Sequence, residues 1–292
     1  MSASASPGST PPPSPSESLP PGRLPDVTGR LRAAGCVFAE DEARLMIATA
    51  RTAAELDTMV ARRADGLPLE HVLGWAEFCG LRIAVGPGVF VPRRRTEFLA
   101  SQAVAVTLAW VRKTPPAGSD AVVLVDLCCG SGAVGAAVAT ALRAEAVQFE
   151  LHAADIDPAA AACARRNVAA FGGTVYVGDL YDPLPARLSG RVGLLTANVP
   201  YIPAGAIDTL PAEARVHEPR VALDGGADGL EILRRVASAA PRWLAPGGHL
   251  LVETSEEQAP AASQAIAGAG LIPRLTAAKE LDATVIIGTR PA

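Results

Sequence analysis

No run of 18 or more apolar residues occurs in the 292 residues of the chain, so a membrane-spanning helix is excluded and no membrane role is expected. The N-terminus has no basic start followed by an apolar segment, which argues against a secretory leader. Basic residues are not in excess: 26 Lys and Arg stand against 30 Asp and Glu, a net charge of −4. A broad basic surface for non-specific nucleic-acid binding is thereby excluded, though not a local patch. The five cysteines, Cys36, Cys79, Cys128, Cys129 and Cys163, are odd in number and never spaced C-x-x-C. That pattern fits reduced thiols in a cytoplasmic protein rather than a disulfide framework or a zinc site. His71, His152, His217 and His249 are scattered, and no metal site is expected.

Apolar residues make up 49% of the chain, ample for a buried core, and the length fits a core domain with a small second one. Residues 1–26 differ: positions 1–25 hold eight of the 25 prolines and seven serines. Such a segment buries too little apolar area to offset its ordering entropy and reads as a disordered tail. A start codon placed too early would also produce it. Residues 27–75 predict a small helical domain, with Ala43, Met46, Ile47 and Ala50 on one side of a helix. Thr52-Ala53-Ala54-Glu55 has the form of a capping box, each side chain serving a backbone donor of the other, ahead of a helix carrying Leu56, Met59, Val60 and Arg63. Such a bundle could dock a protein partner or serve as a lid. Residues 76–92, punctuated by Gly80 and Gly86-Pro87-Gly88, predict a linking β-hairpin.

From residue 93 to 292 a helix over 96–110 and a loop over 114–120 precede a regular alternation. Strands are predicted over 121–127, 151–154, 174–177, 194–197, 249–253 and 284–288, with helices over 132–144, 158–171, 229–244 and 257–267. The fold class is α/β, a parallel sheet covered by helices on both faces. Ligands in such sheets bind beyond the carboxyl ends of the strands, near the switch point.

Two loops stand at strand carboxyl ends. Asn198-Val199-Pro200-Tyr201 follows the apolar run containing Val192, Leu194 and Leu195. The Asn amide donates and accepts, the residue before proline is held extended, and Tyr gives a flat face. Together they suit a planar group carrying an NH2, a side-chain amide or a base amine; an Asn/Pro turn with a core Tyr is the plainer alternative. Gly130-Ser131-Gly132-Ala133-Val134-Gly135 fits G-x-G-x-x-G, and Asp155 follows at the next strand end, where an acidic residue takes a ribose hydroxyl. This describes a dinucleotide site and an S-adenosylmethionine site equally. Asp126, just before the loop, suits an ammonium better than a pyrophosphate. The loop also has the extra residues Leu127-Cys128-Cys129, and no Lys or His is placed as a hydride-transfer acid.

From about residue 66 to 289 the chain resembles the HemK/PrmC family of methyltransferases. The resemblance is carried, in order, by Leu67-Pro68-Leu69 with His71-Val72-Leu73-Gly74 and Phe78-Cys79-Gly80-Leu81; by Val91-Pro92-Arg93 with Thr96-Glu97, similar to "IPRPETE"; and by Val125-Asp126-Leu127-Cys128-Cys129-Gly130-Ser131-Gly132, similar to "DLGTGSG". Ala154-Asp155-Ile156-Asp157, Asn198-Val199-Pro200-Tyr201-Ile202 (similar to "NPPYI"), Glu218-Pro219 with 222–230 (similar to "EP..AL.GG.DGL") and Leu251-Val252-Glu253 complete it.

The resemblance implies a Rossmann-like, S-adenosylmethionine-dependent sheet that methylates a glutamine side-chain amide in a protein, typically a peptide-chain release factor. It implies that the Asn198 oxygen and the Val199 carbonyl accept the two N–H groups of that amide, with Pro200 shaping the loop and Tyr201 against the amide plane. Asp126 and the backbone of Cys128, Cys129, Gly130, Ser131 and Gly132 would surround the methionine part of the cofactor, with Asn198 beside it. Asp155 would take the ribose, and Asp179 and Leu180 would border the adenine. Val199 departs from the family's proline but keeps the carbonyl. Cys128-Cys129 stands for "GT", where a Cys needs an ordinary φ. Arg94 and Arg95 stand for "PE", and the run Arg93-Arg94-Arg95 reads as a solvated helix start or as a contact for an acidic partner or RNA phosphate. These departures leave room for a subgroup with its own protein substrate. The competing readings are a base-amine methyltransferase, which would need a basic channel, an NAD-dependent dehydrogenase, and a scaffold without turnover.

Overall fold

The computed structural model describes residues 22–113 and 121–292. The expected tail, up to residue 21, and the expected loop 114–120 lie outside the described residues. The chain divides into two compact units between Leu73 and Gly74.

The first unit is four helices, α1 (Arg23–Ala33), α2 (Ala39–Thr49), α3 (Ala53–Ala64) and α4 (Leu69–Leu73). Its first helix begins at Arg23, inside the segment expected to be tail, because Val27 and Leu31 sit on a face that packs with Met46, Leu56 and Val60. The Thr52 hydroxyl accepts the Glu55 N–H at 3.1 Å as a capping box requires, but the Glu55 carboxylate reaches the Arg51 N–H at 2.8 Å rather than that of Thr52. Arg63, on the helical stripe of α3, is a polar clamp: it pairs with Glu42 at 2.7 Å and donates to the Leu67 carbonyl at 2.9 Å.

The second unit opens with the hairpin β1 (Trp75–Phe78) and β2 (Leu81–Ala84), joined by Cys79 and Gly80, both at positive φ (50° and 72°). A two-residue turn with both φ positive matches the twist of its strands. The hairpin lies earlier than expected, since the Gly86-Pro87-Gly88 punctuation falls beyond it. Then follow α5 (Thr96–Lys113), β3 (Val122–Leu127), α6 (Ala133–Ala144), β4 (Phe149–Asp155), α7 (Pro158–Val168), β5 (Thr174–Val177), β6 (Val192–Ala197), α8 (Ala212–His217), α9 (Glu231–Trp243), β7 (Leu244–Thr254), α10 (Ala259–Gly268), β8 (Ile272–Ala278) and β9 (Ala283–Thr289).

Seven strands form one sheet in the order β5-β4-β3-β6-β7-β9-β8. The first five are parallel, as expected, and β9 runs antiparallel between β7 and β8. All six residues of β3 and of β6 are buried, as strands covered on both faces must be. Leu124, Leu151 and Leu194 pack toward Leu99, Ala136 and Leu142 on one face; Val123, Val125 and Leu195 pack toward Leu233, Val236 and Ile266 on the other. Strand order reverses between β3 and β6, where Leu127 pairs with Ala197, so the glycine loop and the Asn198 loop leave the sheet side by side.

Candidate active site

One cavity of about 980 Å³ lies at this switch point, walled by both loops, by Asp155 and Asp179 at neighbouring strand ends, and by residues 90–96 and 218–224. Every residue expected to hold cofactor or acceptor lines it except Gly132, which serves the backbone: at φ 76° it caps α6, and an added Cβ would lie 3.1 Å from that of Ala164.

The glycine loop is built by carboxylates that take its backbone donors. Asp155 accepts the Gly130 N–H at 2.8 Å and the Asp157 N–H at 2.9 Å. Asp126 accepts the Gly135 N–H at 3.0 Å and the Thr196 hydroxyl at 2.8 Å, and the Gly132 N–H goes to the Cys129 carbonyl at 2.7 Å. The Gly130, Gly132 and Gly135 N–H groups are thus taken by the protein itself, and the wall beside them carries Asp126, Asp155 and Asp179. A wall of three acidic side chains suits a cationic ligand with a ribose diol better than an anionic pyrophosphate. Burial, only partly offset by its two hydrogen bonds, raises Asp126 from the ordinary 3.8 to about 7. Burial likewise raises Asp155.

Cys128 stands at φ 51°, which corrects the expectation of an ordinary backbone at that position. Burial and then the neighbouring Asp155 and Asp126 push its thiol up, so it is no nucleophile at neutral pH. Leu180 is also left-handed, at φ 48°. Ile156, between the two aspartates, is 52% exposed on the cavity wall, an apolar surface for a flat ring.

At the other loop, Asn198 donates from Nδ2 to the Thr96 hydroxyl at 3.4 Å. Its Oδ1 and the Val199 carbonyl accept no hydrogen bond from the described residues. Two acceptors are thus left side by side. Val199 itself is buried, and its side chain belongs to the apolar cluster on the second face of the sheet. The Tyr201 hydroxyl donates to Glu253 at 3.2 Å, fixing the ring from behind. Burial raises Glu253, and the Thr96 hydroxyl and the Arg95 guanidinium oppose that shift.

The segment 218–230 straps the loop in place. Ile202 exchanges backbone hydrogen bonds with Leu223 and Gly225 at 3.0 and 2.9 Å, and Gln258 donates to the Tyr201 carbonyl at 3.0 Å. Glu218, its side chain 1% exposed, takes Arg93 on both oxygens at 2.6 Å and the Val91 N–H at 3.3 Å. Arg93 and Arg95 are therefore turned inward, onto Glu218 and Glu253, and only Arg94 is an exposed helix-start residue. Thr96, Glu253 and Arg95 stand behind the Asn198 loop, where the sequence reading did not place them. Thr96 and Glu253 stood in segments that carry the resemblance, but nothing local joins two positions 157 residues apart.

No family model matches the chain. Among curated proteins, it is 38% identical over 229 residues to the release factor glutamine methyltransferase of Mycolicibacterium smegmatis, covering 78% of this chain and 76% of that one. It is 37% identical over 251 residues to the 4-amino-L-phenylalanine/4-methylamino-L-phenylalanine methyltransferase of Streptomyces pristinaespiralis, covering 80% and 82%. The chain spans from 65% to 87% of the length of such relatives. In fold it is similar to the CMeT domain of the citrinin polyketide synthase, with a TM-score of 0.51 at 11% identity, covering 91% of this chain and 66% of that one. Among the described residues no group of three His, Cys, Asp or Glu could hold a metal ion, and no helix is long and apolar enough to cross a membrane.

Proposed function

The chain belongs to the release factor glutamine methyltransferase family, and we propose that it methylates the side-chain amide nitrogen of a glutamine in a protein, a peptide-chain release factor in the first instance. S-adenosylmethionine, when bound, supplies the electrophilic methyl group. Asp155 would hold its ribose, the loop from Cys128 to Gly132 and Asp126 its amino-acid part, and Asp179, Leu180 and Ile156 its base.

The observation that carries the reading is the pair of unspent acceptors, Asn198 Oδ1 and the Val199 carbonyl, on one strapped loop. An amide nitrogen is a poor nucleophile because its lone pair is delocalised into the carbonyl. Two acceptors on its two N–H groups fix the plane of the amide and favour positive charge developing on nitrogen. Positioning of this kind supplies several kcal/mol of the barrier. No residue of the loop is a strong base, and Asn198 and Val199 act as fixed dipoles. Thr96 takes the Asn198 Nδ2, which leaves the Oδ1 for the acceptor.

A second acceptor chemistry is favoured by one observation: the 37%-identical Streptomyces relative is named for methylating 4-amino- and 4-methylamino-L-phenylalanine, which are arylamines. A two-acceptor loop fits an arylamine as it fits an amide. Incubation of the chain with methyl-labelled S-adenosylmethionine and a purified release factor, with nucleic acid and 4-amino-L-phenylalanine as separate pools, tests the reading. Label in the release factor, lost with Asn198→Ala, is expected. Label only in nucleic acid or only in the free amino acid contradicts it.

A further inference from the structure

Arg95 differs from the other arginines of the cavity. Arg93 spends a terminal nitrogen on both oxygens of Glu218, and Arg235 spends one on Asp179 at 2.5 Å. Arg220 pairs with Asp224 at 3.1 Å and is 68% exposed. Arg95 is held only from behind. Its Nε lies 3.3 Å from Glu253 Oε1, and its guanidinium lies 5.6 Å from the centre of the Tyr201 ring. Its terminal nitrogens have no hydrogen-bond partner among the described residues, while the side chain, 38% exposed, lines the cavity beside Asn198 and Tyr201.

A guanidinium set between the Glu253 carboxylate and the Tyr201 ring keeps its two terminal nitrogens as a fork, which matches the two oxygens of a carboxylate. Glu253 neutralises the pair as a whole, so the attraction is short-ranged and directional, strong at the fork and weak across solvent. The position is also one where the chain departs from its family's signature: arginine stands in the place of the glutamate of "PRPETE". A glutamate there would face Glu253 with a like charge and repel an anionic acceptor, so the exchange inverts the selectivity of this wall.

We propose that Arg95 is a specificity residue that binds a carboxylate of the acceptor, close to the nitrogen that is methylated. The inference rests on the methyltransferase reading above. The carboxylate can belong to the acceptor residue's own terminus or to an acidic neighbour in a peptide, and one experiment separates the two.

Isothermal titration calorimetry on the full chain measures S-adenosylhomocysteine first, and then, with it bound, two matched pairs. One pair is N-acetyl-L-glutamine and its carboxamide. The other is a blocked glutamine peptide with Asp or Ser next to the glutamine. In at least one pair the carboxylate member is expected to bind about tenfold tighter, the worth of charge-assisted hydrogen bonds. Arg95→Gln is expected to bring that ratio close to one while S-adenosylhomocysteine affinity stays within about threefold. Equal affinities within both pairs, or no acceptor binding at all, overturn the proposal; the wild-type comparison needs no variant, so a folding defect in Arg95→Gln cannot hide this result. Failure to bind S-adenosylhomocysteine would overturn the methyltransferase reading and the proposal with it. Binding of S-adenosylhomocysteine without preference in either pair overturns the Arg95 proposal alone.

Discussion

Asp126 links the sheet, the glycine loop and the cofactor cavity through one carboxyl group. Buried and raised to about 7, it keeps its proton in the folded chain at pH values where the unfolded chain has lost it. Stability from this group therefore falls as pH rises from about 4 to about 7 and levels off above that. Asp126→Asn keeps an acceptor for the Gly135 N–H and removes the penalty, so its melting temperature should exceed that of the wild type at pH 8 and approach it near pH 4. The difference is on the order of a few kcal/mol at most. A cationic ligand favours the ionised form, so S-adenosylmethionine affinity is expected to climb up to about pH 7 in the wild type and to lose that rise in Asp126→Asn. A pH series of calorimetric titrations checks both. Cys128 gives a second residue-scale test. Its left-handed backbone costs about 1 kcal/mol that glycine would not pay. Cys128→Gly should be as stable as the wild type or slightly more so in denaturant titration, whereas Cys128→Val should lose about 1–2 kcal/mol.

At the scale of elements, the strap 218–230 decides the geometry of the acceptor loop. Glu218 ties it to residues 91–93 through a nearly fully buried carboxylate. Glu218→Ala leaves the Val91 N–H unpaired and Arg93 without its partner; Arg93 is 37% exposed, which limits the cost to about 1–3 kcal/mol. Acceptor KM should rise more than cofactor Kd, because the cofactor loop is held by Asp126 and Asp155 instead. Which elements could be read in advance follows from their burial. β3 and β6 are continuous apolar runs because both faces are covered, and they were legible as such. β8 was not: it is an edge strand with Pro273 in it and exposed Ile272, Arg274 and Leu275, so it shows neither alternation nor an apolar run. The short α8 buries no residue and has no periodicity to detect. The reversal of β9 leaves no local mark either, since strand direction is set by the connection and not by the residues paired.

For the molecule as a whole, the cavity exists because the chain reverses strand order between β3 and β6, bringing positions 126–135 and 196–201 together. Asn198 and Asp155 were legible because each follows an apolar strand at the end where ligands bind. The support behind Asn198 was not, because Thr96, Arg95 and Glu253 are neighbours only once the sheet has formed. Two acceptors on a rigid loop make Asn198 the residue whose loss should harm turnover most. Asn198→Ala is expected to lower kcat/KM at least about a hundredfold through misplacement of the acceptor. The central claim is tested most directly by mass spectrometry of a release factor incubated with S-adenosylmethionine and this chain. The account predicts one added methyl group on a glutamine side-chain amide with the wild type and none with Asn198→Ala. A methyl group found on a different residue type, or methylation of glutamine undiminished in Asn198→Ala, would contradict it.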